Sequence, residues 1–455
     1  MFLFLIIYIC SFLFFLKDLF KGNPDGIVRF IIFGLSIYTV SLSISYLYGY
    51  SKINPFFQSF KEIAILSTLV YLLYKLDKKI RFQIVDKLVL AFFIYVFGYI
   101  LLPLGSYSFF QKILAFKSLC FFPVVYFTGR FMKPEKIKLS ETFHFICLLS
   151  IAAAAILFFE VITNTHLQTL TGYADYNYYF FDQEPSGSYG LSWTFEIEGG
   201  IKRFASLFAN PLEYAAATLI TVAAIASLVT NDKNRLSLNN FVIISLCCTL
   251  LAIIFSLSRA SFISYFIMIY TFAYIIRQKM ILKFFHYSLL SAICILLFFS
   301  IEGDLGDYII NTFQFTNASS IGHVIEWLNG IQAMSQHPLG MGLGESGRIS
   351  APTGFNTGGE NQFIIIGVQA GLIALLIYIL LYIKVVTVAI RTIRNSNGKK
   401  RKLAIFVLLI KMGLLIPLFT SETESYIYIS YITWFFTGLL INMVSKEAIK
   451  PKLSK

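Results

Sequence analysis

Two arginines, Arg203 and Arg259, stand close to long apolar stretches, Arg203 near the end of a long polar segment and Arg259 in a short turn. Arg203 comes shortly before Asn210-Pro211, a pair that suits the N-cap and first turn of a helix. The N–H groups and positive end of that helix would point outward beside Arg203, a favourable setting for a phosphate. Arg259 lies between two apolar stretches, where an arginine is usually paired or functional. The alternative for both is an arginine that extends to lipid headgroups.

Two candidates for a general base follow, His323 and Glu360. Apolar residues at 321, 324, 325, 328 and 331 leave His323, Glu326 and Gly330 on the opposite face, which predicts an amphipathic helix on the membrane or over a cavity. Glu360 precedes an apolar helix, where a carboxylate either caps the helix or accepts a proton. An unperturbed His titrates near pH 6.5 and Glu at about 4.3. We therefore favour His323 as the base, with Glu360 orienting a hydroxyl or the imidazole.

His337-Pro338 opens a glycine-rich segment that contains Gly342 and Gly344 and ends at Arg348. Such spacing lets the backbone approach a ligand closely, although a turn-rich loop has the same composition. The segment is not a dinucleotide fingerprint, which needs a flanking strand and helix. We predict a ligand-facing wall, which makes His337 and Glu345 weaker candidates for the base.

The stretch from Tyr173 to Asp182 combines aromatic rings with acids and amides. That combination suits sugar rings, because their C–H faces stack on aromatic faces. An aromatic belt at the membrane interface has the same composition. Both interpretations stay open from the sequence.

The elements that must position these residues are apolar. Of 455 residues, 57% are hydrophobic and 13% charged, and the mean hydropathy is +0.74. No soluble surface could cover so much apolar area, so we predict an all-α polytopic membrane protein with about 13 transmembrane helices, forming a single integral membrane domain over 1–455. The apolar blocks are 2–16, 27–49, 59–75, 86–104, 111–129, 141–162, 209–230, 239–256, 260–276, 282–301, 362–384, 403–420 and 427–444.

Charge predicts the orientation of these blocks. Of the 37 Lys and Arg residues, 28 fall in alternate loops and the C-terminal tail, and nine fall on the other side. Basic loops are cytoplasmic, so we predict an outer N-terminus, an inner C-terminus and two long extracytoplasmic loops, 163–208 and 302–361. The net charge of +13 then reflects topology rather than nucleic-acid binding. The six cysteines fall inside apolar blocks, which argues against a disulfide framework and gives metal ligation no support.

Two lysines, Lys117 and Lys411, lie within apolar blocks. A lysine there needs a partner or a hydrated cavity. We expect Lys117, in the outer half of its helix, to support the arginine site. We expect Lys411 to pair with a carboxylate such as Glu213 for structural reasons.

Four segments in order, RFASLFANP, SLSRASF, HPLGMGLGESG and ENQFIIIGVQAGLIALLIYI, give the chain a family resemblance. From Arg203 to the helix after Gly371, about half of the chain resembles the O-antigen polymerase and O-antigen ligase superfamily, and Wzy-type polysaccharide polymerases most closely. The resemblance implies an all-helical protein of the bacterial cytoplasmic membrane. It also implies transfer of a glycan from an undecaprenyl diphosphate carrier to a sugar hydroxyl on the outer face, with no cofactor and no metal.

The resemblance also implies roles for particular residues. Arg203 and Arg259 match arginines thought to hold the donor diphosphate, and we add Arg348 and Lys117 to that site. The ligases usually show a His-containing pair where this chain has Glu360-Asn361, so the base stays divided between His323 and Glu360. The residues that we place on substrate-facing loops are Asn210, His337, Gly342, Gly344 and Asn361.

Three functions remain in competition. A polymerase joins lipid-linked repeat units into O-antigen, capsule or exopolysaccharide, with a chain-length regulator and a flippase as candidate partners besides membrane lipid. An O-antigen ligase shares the donor and differs in the acceptor. A lipid-linked oligosaccharide flippase or transporter should show charged residues along midplane helices and two similar halves. Most embedded charges here lie near the outer helix ends, so we favour the polymerase; the sequence leaves the sugars and the linkage open.

Overall fold

The computed structural model describes residues 1–76, 80–197, 200–299, 318–348, 350 and 357–447. The chain is helical almost throughout, with one two-residue hairpin of strands β1 (Glu196–Ile197) and β2 (Ile201–Lys202). The helices of the first half are α1 (Leu3–Phe20), α2 (Gly26–Arg29, continued by a π-helical turn Phe30–Gly34), α3 (Tyr38–Leu47), α4 (Asn54–Tyr74), α5 (Ile84–Leu101), α6 (Phe109–Cys120), α7 (Phe122–Phe131), α8 (Leu139–Thr163), α9 (Leu167–Leu170) and α10 (Tyr173–Phe181). Those of the second half are α11 (Pro211–Val229), α12 (Asn240–Ser256), α13 (Arg259–Ile276), α14 (Lys279–Phe299), α15 (Ala318–Gln336), α16 (Gln362–Asn395), α17 (Gly398–Thr420) and α18 (Ile427–Glu447).

Within the described residues, each of the thirteen apolar blocks falls mainly on one helix or on a bent pair of helices. Within the described residues, nine helices are long and apolar enough to span a membrane, and the count reaches eleven if each of two bent pairs is one span. The prediction of an all-α polytopic membrane protein is thus confirmed, whereas thirteen spans stay a prediction. One bend, of 47° between α6 and α7, falls just before Pro123, which cannot continue the backbone ladder of the preceding helix.

The most buried helices, α11, α17 and α18, form the centre of the bundle. Small residues let neighbouring helices come close to them. A Cβ atom on Gly129 of α7 would lie 2.0 Å from the carbonyl oxygen of Phe435, and one on Gly438 of α18 would lie 2.0 Å from that of Tyr126. The backbones of α7 and α18 are therefore in direct contact, as small residues allow in membrane helix pairs.

Alternate connections gather at the two ends of the bundle. At one end, Arg401 donates to the carbonyl of Asn231 and Asn442 to that of Met132 (2.7 Å). Nearby, buried Arg130 pairs with Asp86 at 2.9 Å. At the other end, which we call the site end, the described residues of 164–197, 200–210, 257–258, 337–348, 357–361 and 421–426 meet.

The loop between α8 and α11 is anchored by a buried carboxylate, Glu160. It accepts hydrogen bonds from the N–H groups of Leu167 (2.8 Å) and Ser206 (2.9 Å), and the Gln168 amide donates to the carbonyls of Ser206 and Phe208. The two ends of this loop are therefore fixed relative to each other. Of the second long loop, the structure describes α15 and the segments 337–348, 350 and 357–361.

Candidate functional site

The glycine-rich segment braces a break in α16. Gly371 has φ of +80° and ψ of 175° inside that helix, so the helical hydrogen bonds stop there. The segment supplies replacements, because the N–H of Met341 donates to the carbonyl of Val368 (2.7 Å) and the N–H of Leu372 to that of Pro338 (2.9 Å). Irregular backbone at this depth requires such partners.

The glycines are required because the segment touches backbone on both sides. A Cβ on Gly340 would lie 2.6 Å from the nitrogen of Gly371, and one on Gly342 would lie 2.8 Å from the carbonyl of Leu104. The close approach that we predicted for a ligand is therefore made to protein. Whether Gly342 and Gly344 also face substrate stays a prediction.

Side chains add further hydrogen bonds between the glycine-rich segment and its neighbours. The Gln369 Oε1 accepts from the N–H of Gly344 (3.1 Å), and its Nε2 donates to the carbonyl of Ser346 (2.7 Å). The Glu345 carboxylate accepts from the N–H (2.5 Å) and hydroxyl (2.9 Å) of Ser106. Glu345 thus joins the segment to the loop after α5, which explains its presence without a role as base.

Arg348 ends the segment inside a ring of ionisable groups. The backbone N–H of Arg348 donates to Glu422 Oε2 at 2.9 Å. The charge of its side chain interacts with Tyr173, Glu213, Glu422 and Tyr426. Burial acts against the charge, but these neighbours outweigh it and raise the pKa of Arg348. The Arg348 side chain is nevertheless exposed to solvent.

Arg203 and Arg259 are neighbours where α12 ends and α13 begins. The Arg203 Nε donates to the carbonyl of Ser256 (2.9 Å), which places the guanidinium at the end of α12, next to the start of α13. Arg259 is exposed there, in the first turn of α13. Burial lowers the pKa of Arg203 to about 10; the charge of Arg259 adds to this effect, whereas Tyr426 and Glu360 oppose it. Arg203 therefore remains charged at neutral pH, and the two predicted arginines are neighbours.

His323 and Glu360 also come together. The predicted amphipathic helix is present as α15, with Ile325, Leu328 and Ile331 more than half exposed on its apolar face. His323 Nδ1 lies 3.9 Å from Glu326 Oε2. Burial raises the pKa of Glu360; His323 and Arg348 oppose that rise, and Glu326 and Glu422 add to it. The structure thus brings both candidate bases to the arginines.

The remaining predicted residues have local roles. The side chain of Asn361 caps α16 by accepting from the N–H groups of Phe363 and Ile364, and that of Asn210 caps α11 by accepting from Glu213. His337 is exposed just beyond α15. The substrate contacts that we predicted for Asn210, Asn361 and His337 remain predictions.

Neither lysine has the surroundings that we expected. Lys117 Nζ pairs with Glu62 at 2.7 Å, on α4, rather than with the arginine cluster. Lys411 Nζ lies 3.6 Å from the centre of the Trp434 ring, and the carboxylate with which it interacts is Glu424. Glu213 was therefore the wrong partner for Lys411.

Two residues at the centre of the site, Glu422 and Tyr426, escaped the sequence analysis. They lie in the short polar segment between α17 and α18, and burial raises the pKa of both. An acid so close to an apolar block usually has a partner, which was the available signal. Among the described residues, no group of three His, Cys, Asp or Glu side chains could hold a metal ion.

Comparison with protein families matches one stretch of the chain. Residues 243–379 match the family model described as O-Antigen ligase. The match runs from α12 into the second half of α16, so it includes Arg259, Arg348, His323 and Glu360 and leaves Arg203 outside. The resemblance to the O-antigen polymerase and ligase superfamily is confirmed on this stretch. The match supports transfer of lipid-linked glycans by a multi-pass membrane protein and does not distinguish polymerase from ligase. No curated protein matched the sequence.

Proposed function

We propose that this protein is a polymerase of undecaprenyl-diphosphate-linked oligosaccharide repeat units, acting at the outer face of the bacterial cytoplasmic membrane. The acceptor hydroxyl oxygen forms a bond to the anomeric carbon of the donor sugar, and the bond from that carbon to the diphosphate oxygen breaks. The hydroxyl proton passes to a base, and the lipid diphosphate leaves with the electron pair. The product is surface polysaccharide.

One observation carries the proposal: three arginines and two candidate bases from separate polar segments form one cluster at one end of the bundle, in which Glu360 interacts with His323, Arg348 and Arg203, and Arg203 with Arg259. A diphosphate leaving group needs fixed positive charge more than it needs an acid. Arginine keeps its charge and can bind phosphate oxygens in pairs. Arg203 and Arg259, already adjacent, would hold the diphosphate and offset the charge that develops as it leaves.

The two candidate bases fit the activation of the acceptor hydroxyl. Glu360 lies within electrostatic reach of His323 and Arg348, so a hydroxyl bound between them would find both a base and an orienting acceptor. In this proposal His323 takes the proton and Glu326 steadies its imidazolium. Glu360 orients the acceptor hydroxyl. Arg348 completes the ring of ionisable groups around the site.

Deletion of the gene, followed by gel analysis of surface glycan, tests the function. We expect a single repeat unit on the acceptor, with long chains restored by the wild-type protein. Complete loss of glycan transfer would contradict polymerisation and favour ligation, the second candidate, which the description of the matched family supports.

A further inference from the structure

A second basic cluster lies apart from the arginines, between α4 and α6. Glu62 Oε1 is 3.1 Å from Lys61 Nζ and 2.7 Å from Lys117 Nζ. Lys61 also donates to the Tyr38 hydroxyl (2.7 Å) and to the carbonyl of Gln58 (2.8 Å). One carboxylate thus faces two ammonium groups, and the cluster carries an excess of one positive charge.

The depth of this cluster makes the excess charge costly. Lys61 and Lys117 lie seven and eight residues after the first residues of α4 and α6, so each is about 10–12 Å along its helix from the site end. Charged side chains in such segments normally pair or line a hydrated cavity. A bound anion would balance the charge, and Lys117, with 49% of its side chain exposed, is open to one.

The surface beside the cluster is apolar and exposed. Along α4, Leu66, Val70 and Leu73 form a ridge that leads from Glu62 towards the opposite end of the bundle, with exposures of 46%, 65% and 47%. A soluble anion would make no use of this ridge. An anion with a long hydrocarbon chain would place its charge at Lys117 and its chain along the ridge.

Helix α6 connects the lysine cluster to the arginine site. Ser118, the residue after Lys117, lines a small polar cavity together with Ser346, Gln362 and Glu422. Glu422 is the carboxylate that receives the backbone N–H of Arg348. The two sites are therefore joined through one helix.

We propose that Lys117, with the buried charge of Lys61 behind it, binds the diphosphate of a second lipid carrier, the one that bears the acceptor repeat unit. This inference rests on the proposed function, because in polymerisation both sugar substrates are attached to lipid diphosphates. Arg203 lies in the connection before α11 and Arg259 on α13, whereas Lys61 and Lys117 lie on α4 and α6, so the two carriers can be bound together. A ligase that used another kind of acceptor would have no use for the second site.

Binding of undecaprenyl diphosphate to the full-length protein in phosphatidylcholine nanodiscs tests the proposal, with native mass spectrometry as the readout. The wild type should bind two molecules. Lys117→Gln should weaken the second binding event about tenfold or more, because a charge-assisted contact is lost. Lys117→Arg should retain it. Lys138→Gln, which removes an exposed lysine at the opposite end, is the matched control and should change nothing.

The possible results separate this site from the arginine site. Two molecules bound with unchanged affinity in Lys117→Gln would overturn the inference, as would equally tight binding of phosphatidylglycerol or pyrophosphate at Lys117. Glu62→Gln, which removes the competing carboxylate, should retain the second molecule, and its loss from folded protein would also overturn the inference. If an Arg203→Gln, Arg259→Gln double variant still binds two molecules, the proposed donor site fails while the lysine site stands.

Discussion

Arg203 and Arg259 are costly to keep side by side. Each guanidinium raises the energy of the other, and burial adds to the cost for Arg203. Around Arg203 the neighbouring Glu360 and Tyr426 act in the opposite direction, yet its pKa stays lowered, so an anion bound beside Arg203 would stabilise its charge. This local imbalance is the physical reason to place the leaving diphosphate here rather than at Arg348, whose neighbours include two glutamates.

We expect Arg203→Lys and Arg259→Lys each to lower the polymerisation rate about tenfold or more. A lysine keeps the charge but loses the planar pair of donors that matches phosphate oxygens. The measurement is polymer length and rate with purified lipid-linked repeat units. Arg235→Lys, an exposed arginine at the opposite end, is the control and should leave both unchanged. Normal long chains in both site variants would refute the diphosphate role.

Exchange of the two candidate bases should separate their roles. His323→Ala should abolish transfer at every pH, whereas Glu360→Gln should leave a reduced rate. The proposed role requires Glu360 in its ionised form, and burial raises the pKa of this carboxyl group. As the pH decreases, the wild-type rate should therefore begin to fall at a higher pH than it would with an ordinary carboxylate. In Glu360→Gln, this decrease in rate at low pH should be absent. A wild-type rate in His323→Ala together with an inactive Glu360→Gln would reverse the assignment.

At the scale of single residues, the sequence predicted which residues come together, but it predicted their individual contacts less well. Arg203, Arg259, His323 and Glu360 stood out because charged groups beside apolar blocks are rare. Glu422 and Tyr426 did not, because a six-residue connection between two helices carries no pattern. The partner of Lys411 depended on which helices pack together, and single-sequence periodicity does not contain that information.

The element that organises the site is the broken helix α16. Its first half begins at Gln362, with Asn361 as the N-cap directly after Glu360, and its break at Gly371 receives the glycine-rich segment that ends in Arg348. One helix therefore sets the positions of a candidate base and a cation. The sequence showed the glycines and the helix, but not that they bind each other, because the break leaves the apolar pattern of α16 uninterrupted.

Substitution of Gly371 should test this arrangement. Gly371→Ala would place a Cβ 2.6 Å from the carbonyl carbon of Leu339, on a residue with positive φ. Such strain costs about 1–3 kcal/mol, so we expect a lower unfolding temperature and reduced activity together. Gly98→Ala on α5, where a Cβ meets no atom within 4 Å, should leave both intact. An unchanged Gly371→Ala protein would show that the break is dispensable.

At the scale of the whole molecule, the two sides of the bundle predicted from the distribution of basic residues remain a prediction. Apolar block length was sufficient to find the helices, because each block must satisfy its own backbone groups. It was not sufficient to count spans: the bends at Phe121 and after Gly34 lie inside blocks that read as continuous. Which set of connections faces the cytoplasm is still a prediction from charge.

Cysteine labelling in cells should settle the orientation. With a membrane-impermeant maleimide, Glu184→Cys at the site end should react in intact cells, and Lys138→Cys at the opposite end only after the membrane is opened. Both positions are exposed, so access to solvent does not bias the comparison. The unsubstituted protein reports reaction at the native cysteines. The reverse pattern would place the arginine site in the cytoplasm and exclude the proposed function.

The apolar face of α15 has a mechanical consequence. Ile325, Leu328 and Ile331 cannot stay in water together, so the helix that carries His323 rests on acyl chains while its other face meets Gly358 and Gly359. Lateral pressure in the bilayer then acts directly on the distance between His323 and Glu360. Turnover should accordingly vary with the acyl-chain length of the surrounding lipid, and a detergent micelle, which offers no such pressure, should slow the enzyme while leaving the helical bundle folded.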